Sequence, residues 1–158
     1  MFKKYLSSFL FCAAATAVLI PGMALNADSQ VEINETNFPD DRFRTYLSNK
    51  YDDNKDGKLS SDEIKDIKRI RKDSGEIKNF KGIEFLTDLE WLFCSEDYLT
   101  TIDLSKNTKL SVLHIDSNDL DKLDLSKNTE LEYLYCWSNN LKTLDLSKNT
   151  KLKYLDIC

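Results

Sequence analysis

Residues 52 to 63 read DDNKDGKLSSDE, the densest set of side chains in the chain that could do chemistry. Asp52, Asn54, Asp56, Ser60 and Glu63 place oxygens at the spacing D-x-N-x-D-G-x5-E, with Gly57 at the sharp-turn position. Carboxylate, amide and hydroxyl oxygens are hard donors, so their chemistry is coordination of a hard cation, and Ca2+ suits the alternating pattern. No Cys or His lies close by in sequence to favour a softer metal. Catalytic chemistry has less to work with. The chain contains one His, which excludes most His-based metal sites and triads, and its four Gly disfavour Gly-rich phosphate cradles.

The loop resembles that of EF-hand calcium proteins. The resemblance implies that Asp52, Asn54 and Asp56 supply side-chain oxygens, Lys58 its backbone carbonyl, Ser60 a ligand directly or through water, and Glu63 a bidentate carboxylate. The flanking sequence must then form helices. Pro39, Asp40 and Asp41 predict a helix start, with Pro39 in the first position and the acids at the positive end of the dipole. Phe43, Tyr46, Leu47 and Tyr51 follow at helical spacing. After the loop, Ser61, Asp62 and Glu63 open a short helix that buries Ile64 and Ile67. EF-hands commonly pair, but the downstream glycines Gly75 and Gly82 lack Asp at the required offsets. A dockerin module, which uses a similar loop twice, is disfavoured for the same reason. Residues 25–70 are therefore expected to cap the open end of a repeat stack.

The repeats follow directly. Residues 87–107 (TDLEWLFCSEDYLTTIDLSKN), 108–128 (TKLSVLHIDSNDLDKLDLSKN) and 129–149 (TELEYLYCWSNNLKTLDLSKN) recur with a period of 21, and 150–158 begins another unit. Apolar residues recur at Leu89, Leu92, Cys94, Leu99, Ile102 and Leu104, and then at Leu110, Leu113, Ile115, Leu120, Leu123 and Leu125. This L-x-x-L-x-L/C-x-x-N-x-L spacing resembles the leucine-rich repeat over residues 87–158. Each coil sends apolar side chains inward at fixed points so that neighbours stack into one core, while Asn amides bond backbone groups in the turn. Ile67, Ile70, Ile77, Phe80 and Ile83 trace a degenerate first coil, with Lys72 standing where an inward apolar residue is expected. The predicted fold is a leucine-rich-repeat solenoid of short parallel strands over residues 71–158 behind a small helical EF-hand-like cap.

Alternation within each repeat's first strand defines outward columns. One holds Trp91, Val112, Tyr133 and Tyr154, the next Phe93, His114, Tyr135 and Asp156, and a third Ser95, Asp116 and Trp137. In solenoids of this type such columns line the concave surface, so Trp91, Phe93, Val112, His114, Tyr133, Tyr135, Trp137 and Tyr154 form the candidate binding surface. Exposed aromatics at this density suit recognition of a protein loop or of sugar rings. Ladder packing along the strands is a compatible structural explanation. Asp103, Asp124 and Asp145 beside Lys106, Lys127 and Lys148 predict a solvated charge face. Cys94 and Cys136 share an inward position two coils apart, about 9 to 10 Å and beyond the ~7 Å reach of a disulfide. Both are expected to be unpaired core residues, and Cys158 to point away from the core. His114 faces opposite to the cysteines, which excludes a Cys-His dyad.

Lys3 and Lys4 precede an apolar stretch from Tyr5 to Ile20, then Pro21, Gly22 and Ala24. This predicts a secretory signal peptide over residues 1–24, because about 16 apolar positions fall short of a bilayer span. Its removal leaves 20 basic against 27 acidic residues, net charge −7, which opposes nucleic-acid binding. A composition of 41% hydrophobic and 31% charged residues is ordinary for a globular domain. Signal, INETNFPDDRFRTYL, loop and repeats in this order resemble bacterial secreted or cell-surface leucine-rich-repeat proteins. The resemblance implies a non-catalytic protein of the surface or medium that recognises or adheres to a protein partner, with a Ca2+-binding cap. A glycan-binding module is the alternative. The stop at Cys158 in mid-repeat is also what a fragment of a larger surface protein or enzyme would show.

Overall fold

The structure, a computed structural model, describes residues 29–71 and 77–157. The expected signal segment, Lys72 and Cys158 lie outside the described residues. Among those described, no helix is long and apolar enough to cross a membrane.

The N-terminal unit runs β1 (Gln30–Glu32), α1 (Asp41–Lys50), β2 (Lys58–Ser60) and α2 (Ser61–Asp66). Pro39 is not in the first helical turn as expected. Asp40 is the N-cap, its Oδ1 accepting from the N–H groups of Arg42 and Phe43 at 3.0 Å each, so the helix begins at Asp41. Phe43 and Leu47 are buried on its inner face. Ser60 caps α2 in a reciprocal capping box with Glu63. β1 pairs antiparallel with β2, bringing Val31 opposite Leu59, both buried. The single loop thus finds its strand partner in residues just upstream.

The second unit is a five-stranded parallel sheet of β3 (Arg69–Arg71), β4 (Trp91–Phe93), β5 (Val112–His114), β6 (Tyr133–Tyr135) and β7 (Tyr154–Asp156), in sequence order. Register is constant, with Ile70, Leu92, Leu113, Leu134 and Leu155 aligned. The expected degenerate first coil contributes β3, and Ile67, Ile70, Ile77, Phe80 and Ile83 are all buried. Its strand straddles the expected 70/71 boundary between cap and repeats.

An asparagine ladder closes each coil on the one before. Asn107 Nδ2 donates to the carbonyls of Ile83 and Leu86 at 2.9 Å, and Asn128 and Asn149 repeat the pattern one coil on. Two carbonyls face each amide, so the position needs the NH2 group; an Asp there would place like partial charges in contact.

The cap docks through specific contacts. Asp40 Oδ2 accepts from the N–H groups of Lys78 and Asn79 at 2.9 and 3.2 Å, so one carboxylate caps α1 and also fastens it to the first coil. Phe38 packs edge-on against Phe43 and Phe85, and Phe43 lies 5.1 Å from Phe80. Gly82, with φ of +101°, leaves room for this: a Cβ would meet Phe38 Cδ1 at 2.2 Å and the Asn37 carbonyl at 2.6 Å. The free edge of β3 is covered by tyrosines. Tyr46 hydroxyl bonds the N–H and carbonyl of Arg71 at 3.3 Å, and Tyr51 hydroxyl donates to the Arg69 carbonyl. Burial, with Tyr46 beside it, pushes the Tyr51 phenol upward and keeps it a donor.

Candidate functional site

The outward residues of β3 to β7 form one strip. Phe93, His114 and Tyr135 stack face to face, with centroid distances of 4.2 and 3.8 Å and interplanar angles of 14° and 13°. Tyr154 continues the row 4.9 Å from Tyr135. Parallel pairing explains the spacing of Phe93, His114 and Tyr135, since identical register places equivalent side chains one strand apart, whereas Tyr154 is in register with Tyr133 and reaches Tyr135 diagonally. Trp91 lies beside Phe93 at 6.2 Å. Exposure is uneven: Tyr133, Trp137 and Tyr154 are 37%, 40% and 46% exposed, whereas Val112 is only 8% exposed. Val112 lies low among larger neighbours on the strip, so this expected binding residue is a buried packing residue. Phe93, His114 and Tyr135 are half-buried by their own stack.

Burial lowers the affinity of His114 for a proton, aided by the Arg71 charge and opposed by Asp116, whose Oδ1 lies 4.0 Å from Nδ1. Ser95 Oγ donates to the same Asp116 oxygen at 2.7 Å, joining the third column. Two residues absent from the expected surface also belong to it. Arg69 aligns with Trp91 and Arg71 with Phe93, and their guanidinium carbons lie 4.3 and 5.7 Å from those ring centroids. The signal was present in the sequence: Ile70 stands 22 residues before Leu92, which places its neighbours in the aromatic columns.

The residues expected to hold a cation occupy one tight turn. Asp52 is 1% exposed, and its two carboxylate oxygens accept from the N–H groups of Asp56 and Gly57 at 3.1 Å. Asn54 Oδ1 accepts from Asp56 N–H at 3.0 Å, and Asp56 Oδ1 from Lys58 N–H at 2.9 Å. Gly57 has φ of +79°. Glu63 Oε2 accepts from Ser60 N–H and Oγ at 2.8 Å, and Oε1 from Asp53 N–H at 2.9 Å. Burial alone would raise the Glu63 pKa, but these hydrogen bonds outweigh it and hold the carboxyl below its ordinary range. Among the described residues, no three His, Cys, Asp or Glu side chains gather as a ready cage for a metal. The donor set is nonetheless all oxygen, and the buried Asp52 is aimed into the turn, which fits a hard cation.

The remaining candidates are structural. Cys94 and Cys136 are free and buried; burial raises the Cys94 thiol well above its usual range and pushes Cys136 up to about 11. Cys94 Sγ donates to the His114 backbone carbonyl at 3.5 Å. Asp103, Asp124 and Asp145 accept from Ser105, Ser126 and Ser147 N–H groups at 2.9, 2.9 and 2.8 Å. Those bonds lower each carboxyl and tie the column to its own turns.

No protein-family model matches the chain, and no curated protein matches it at a significant level. Solved structures do. The chain is similar to the functional domain of InlJ from Listeria monocytogenes, which includes a cysteine ladder: TM-score 0.74, 35% identity, over 84% of this chain and 29% of that one. It is also similar to an internalin, InlF, from Listeria monocytogenes: TM-score 0.68, 26% identity, over 78% of this chain and 37% of that one. The chain thus spans well under half the length of either. The fold is a leucine-rich-repeat solenoid, shared with these structures.

Proposed function

We propose that this protein is a non-catalytic recognition module, exported to the cell surface or medium, whose concave sheet face binds a protein partner. The observation that carries the proposal is the aromatic row spanning β4 to β7, with Tyr154 exposed at its end and Tyr133 and Trp137 exposed beside it. Protein is favoured over glycan because sugars stack on open ring faces, and Phe93, His114 and Tyr135 spend theirs on one another. A screen of the chain against protein and glycan arrays supplies the partner. Trp137→Ala and Tyr133→Ala should then weaken binding by about 1 to 4 kcal/mol at little cost in stability, whereas Lys106→Ala, on the charge column, should not. Loss with Lys106→Ala alone would place recognition elsewhere. Tyr135→Ala is a poorer probe, since the ring supports His114.

The cap loop is proposed to hold one Ca2+. Asp52, Asn54, Asp56 and Glu63 would offer side-chain oxygens, Lys58 its carbonyl, and Ser60 a direct or water-bridged ligand. The ion would neutralise the acidic turn and join the ends of α1 and α2. An unpaired site should be weak, about 10⁻⁴ to 10⁻³ M. Because Glu63 also serves the capping box, the test is Glu63→Gln, which keeps the cap but removes the charged bidentate ligand. Calorimetry should show Ca2+ binding lost in this variant; binding at wild-type strength rejects the site.

A further inference from the structure

We infer that the cap end of the concave face is a carboxylate-reading site, selecting protein segments that present Asp or Glu a few residues from an apolar or aromatic side chain. The inference rests on the concave-face proposal and specifies its partner. Arg69 and Arg71 bring two guanidinium groups onto an otherwise largely aromatic strip, in a chain of net charge −5.

Arg69 is the better placed. Its guanidinium carbon is 4.3 Å from the Trp91 centroid, and its side chain has no ion pair among the described residues. A guanidinium seated on a ring keeps its in-plane N–H fork available, and that fork matches the two oxygens of a carboxylate. Its backbone is held on both sides, by the pairing with Trp91 and by the Tyr51 hydroxyl on its carbonyl. The donor is therefore prepositioned, and little ordering is lost on binding.

A polyanion laid along the strip would meet Asp116 and Asp156 on the same side of the sheet. A protein segment avoids that conflict, placing one carboxylate at Arg69 and uncharged groups against Tyr133 and Trp137. β3 and β6 are three strand spacings apart, about 14 Å, a distance spanned by roughly four to five extended residues. That separation between acid and apolar residue is the expected signature.

The test pans a display library of random twelve-residue peptides over the whole chain at physiological salt, beside Arg69→Gln and Tyr133→Ala. The wild-type pool should be enriched in an acid four to five residues from an aromatic or aliphatic residue. Arg69→Gln should lose the acid while keeping the apolar residue, and a wild-type-selected peptide should bind it about tenfold more weakly or worse. Arg69→Lys, which keeps the charge without the fork, should fall between. A wild-type pool without acids, or with acids undiminished by Arg69→Gln, overturns the inference. So does Arg69-dependent binding of heparin-derived oligosaccharide at the same salt. If acids are absent but Tyr133→Ala still abolishes capture, the concave face stands and only the carboxylate inference falls. Pools identical across all variants reject the concave face itself.

Discussion

At the residue scale, His114 shows how one position can answer to both packing and pH. Its imidazole sits between Phe93 and Tyr135, where burial holds the pKa below its ordinary value of about 6.5. The unfolded chain therefore takes up the proton first as pH falls. Stability from this residue is complete above about pH 6.5 and declines below it, towards the lowered folded value. The carboxyls of Glu63, Asp103, Asp124 and Asp145 are lowered too, so their contribution is lost only in a more acidic window, below about pH 4. With a single His in the chain, the window between pH 7.5 and 5.5 isolates His114. Urea unfolding should show wild type losing more stability across that window than His114→Phe, which keeps a ring in the row. Equal losses would mean that the imidazole titrates as it does in water.

At the element scale, the cap is joined to the coils by polar staples as well as by apolar packing. Asp40 uses one oxygen for α1 and the other for Lys78 and Asn79. Asn is as good an N-cap as Asp, yet it would turn an NH2 group towards the N–H groups of Lys78 and Asn79. Asp40→Asn should therefore cost about 1 to 2 kcal/mol, measured by denaturant unfolding. A neutral result would reduce Asp40 to a helix cap alone. Tyr46 and Tyr51 act at the same interface, covering the edge of β3, and Tyr51 directly precedes Asp52 of the acidic loop.

For the whole molecule, a single apolar core runs from Val31 in the cap to Cys136 in the third full repeat. Stacked coils touch only their neighbours, but the cap and first coils share buried aromatics, so no seam separates them. Unfolding should be one transition, with tryptophan fluorescence from Trp91 and Trp137 coinciding with the loss of far-UV dichroism. Two resolved transitions would show that the cap folds as a separate unit. Between coils, Lys109 with Asp88, Lys151 with Glu130 and Lys153 with Glu132 form ion pairs at exposed or half-buried positions. Such pairs contribute little each, so stability should depend far more on the leucines and asparagines than on salt.

The amino-acid sequence by itself determined the solenoid. A 21-residue period and strand alternation are local signals that repeat, so each coil confirms the register of the next, and the spacing places Phe93, His114, Tyr135 and Tyr154 in adjoining columns. The same logic placed Cys94 and Cys136 inside and exposed the degenerate first coil. Tertiary structure alone decided the rest. The pairing of β1 with β2, the second role of Asp40 and the seat of Phe38 on Gly82 join segments that share no period. Val112 looked like a surface residue because alternation specifies a side chain's direction but not how far larger neighbours overgrow it. The spacing of Ile70 from Leu92 already puts Arg69 and Arg71 in the outward columns, but only the pairing of β3 with β4 seats their guanidinium groups against Trp91 and Phe93, since contact across strands depends on long-range pairing and not on local pattern.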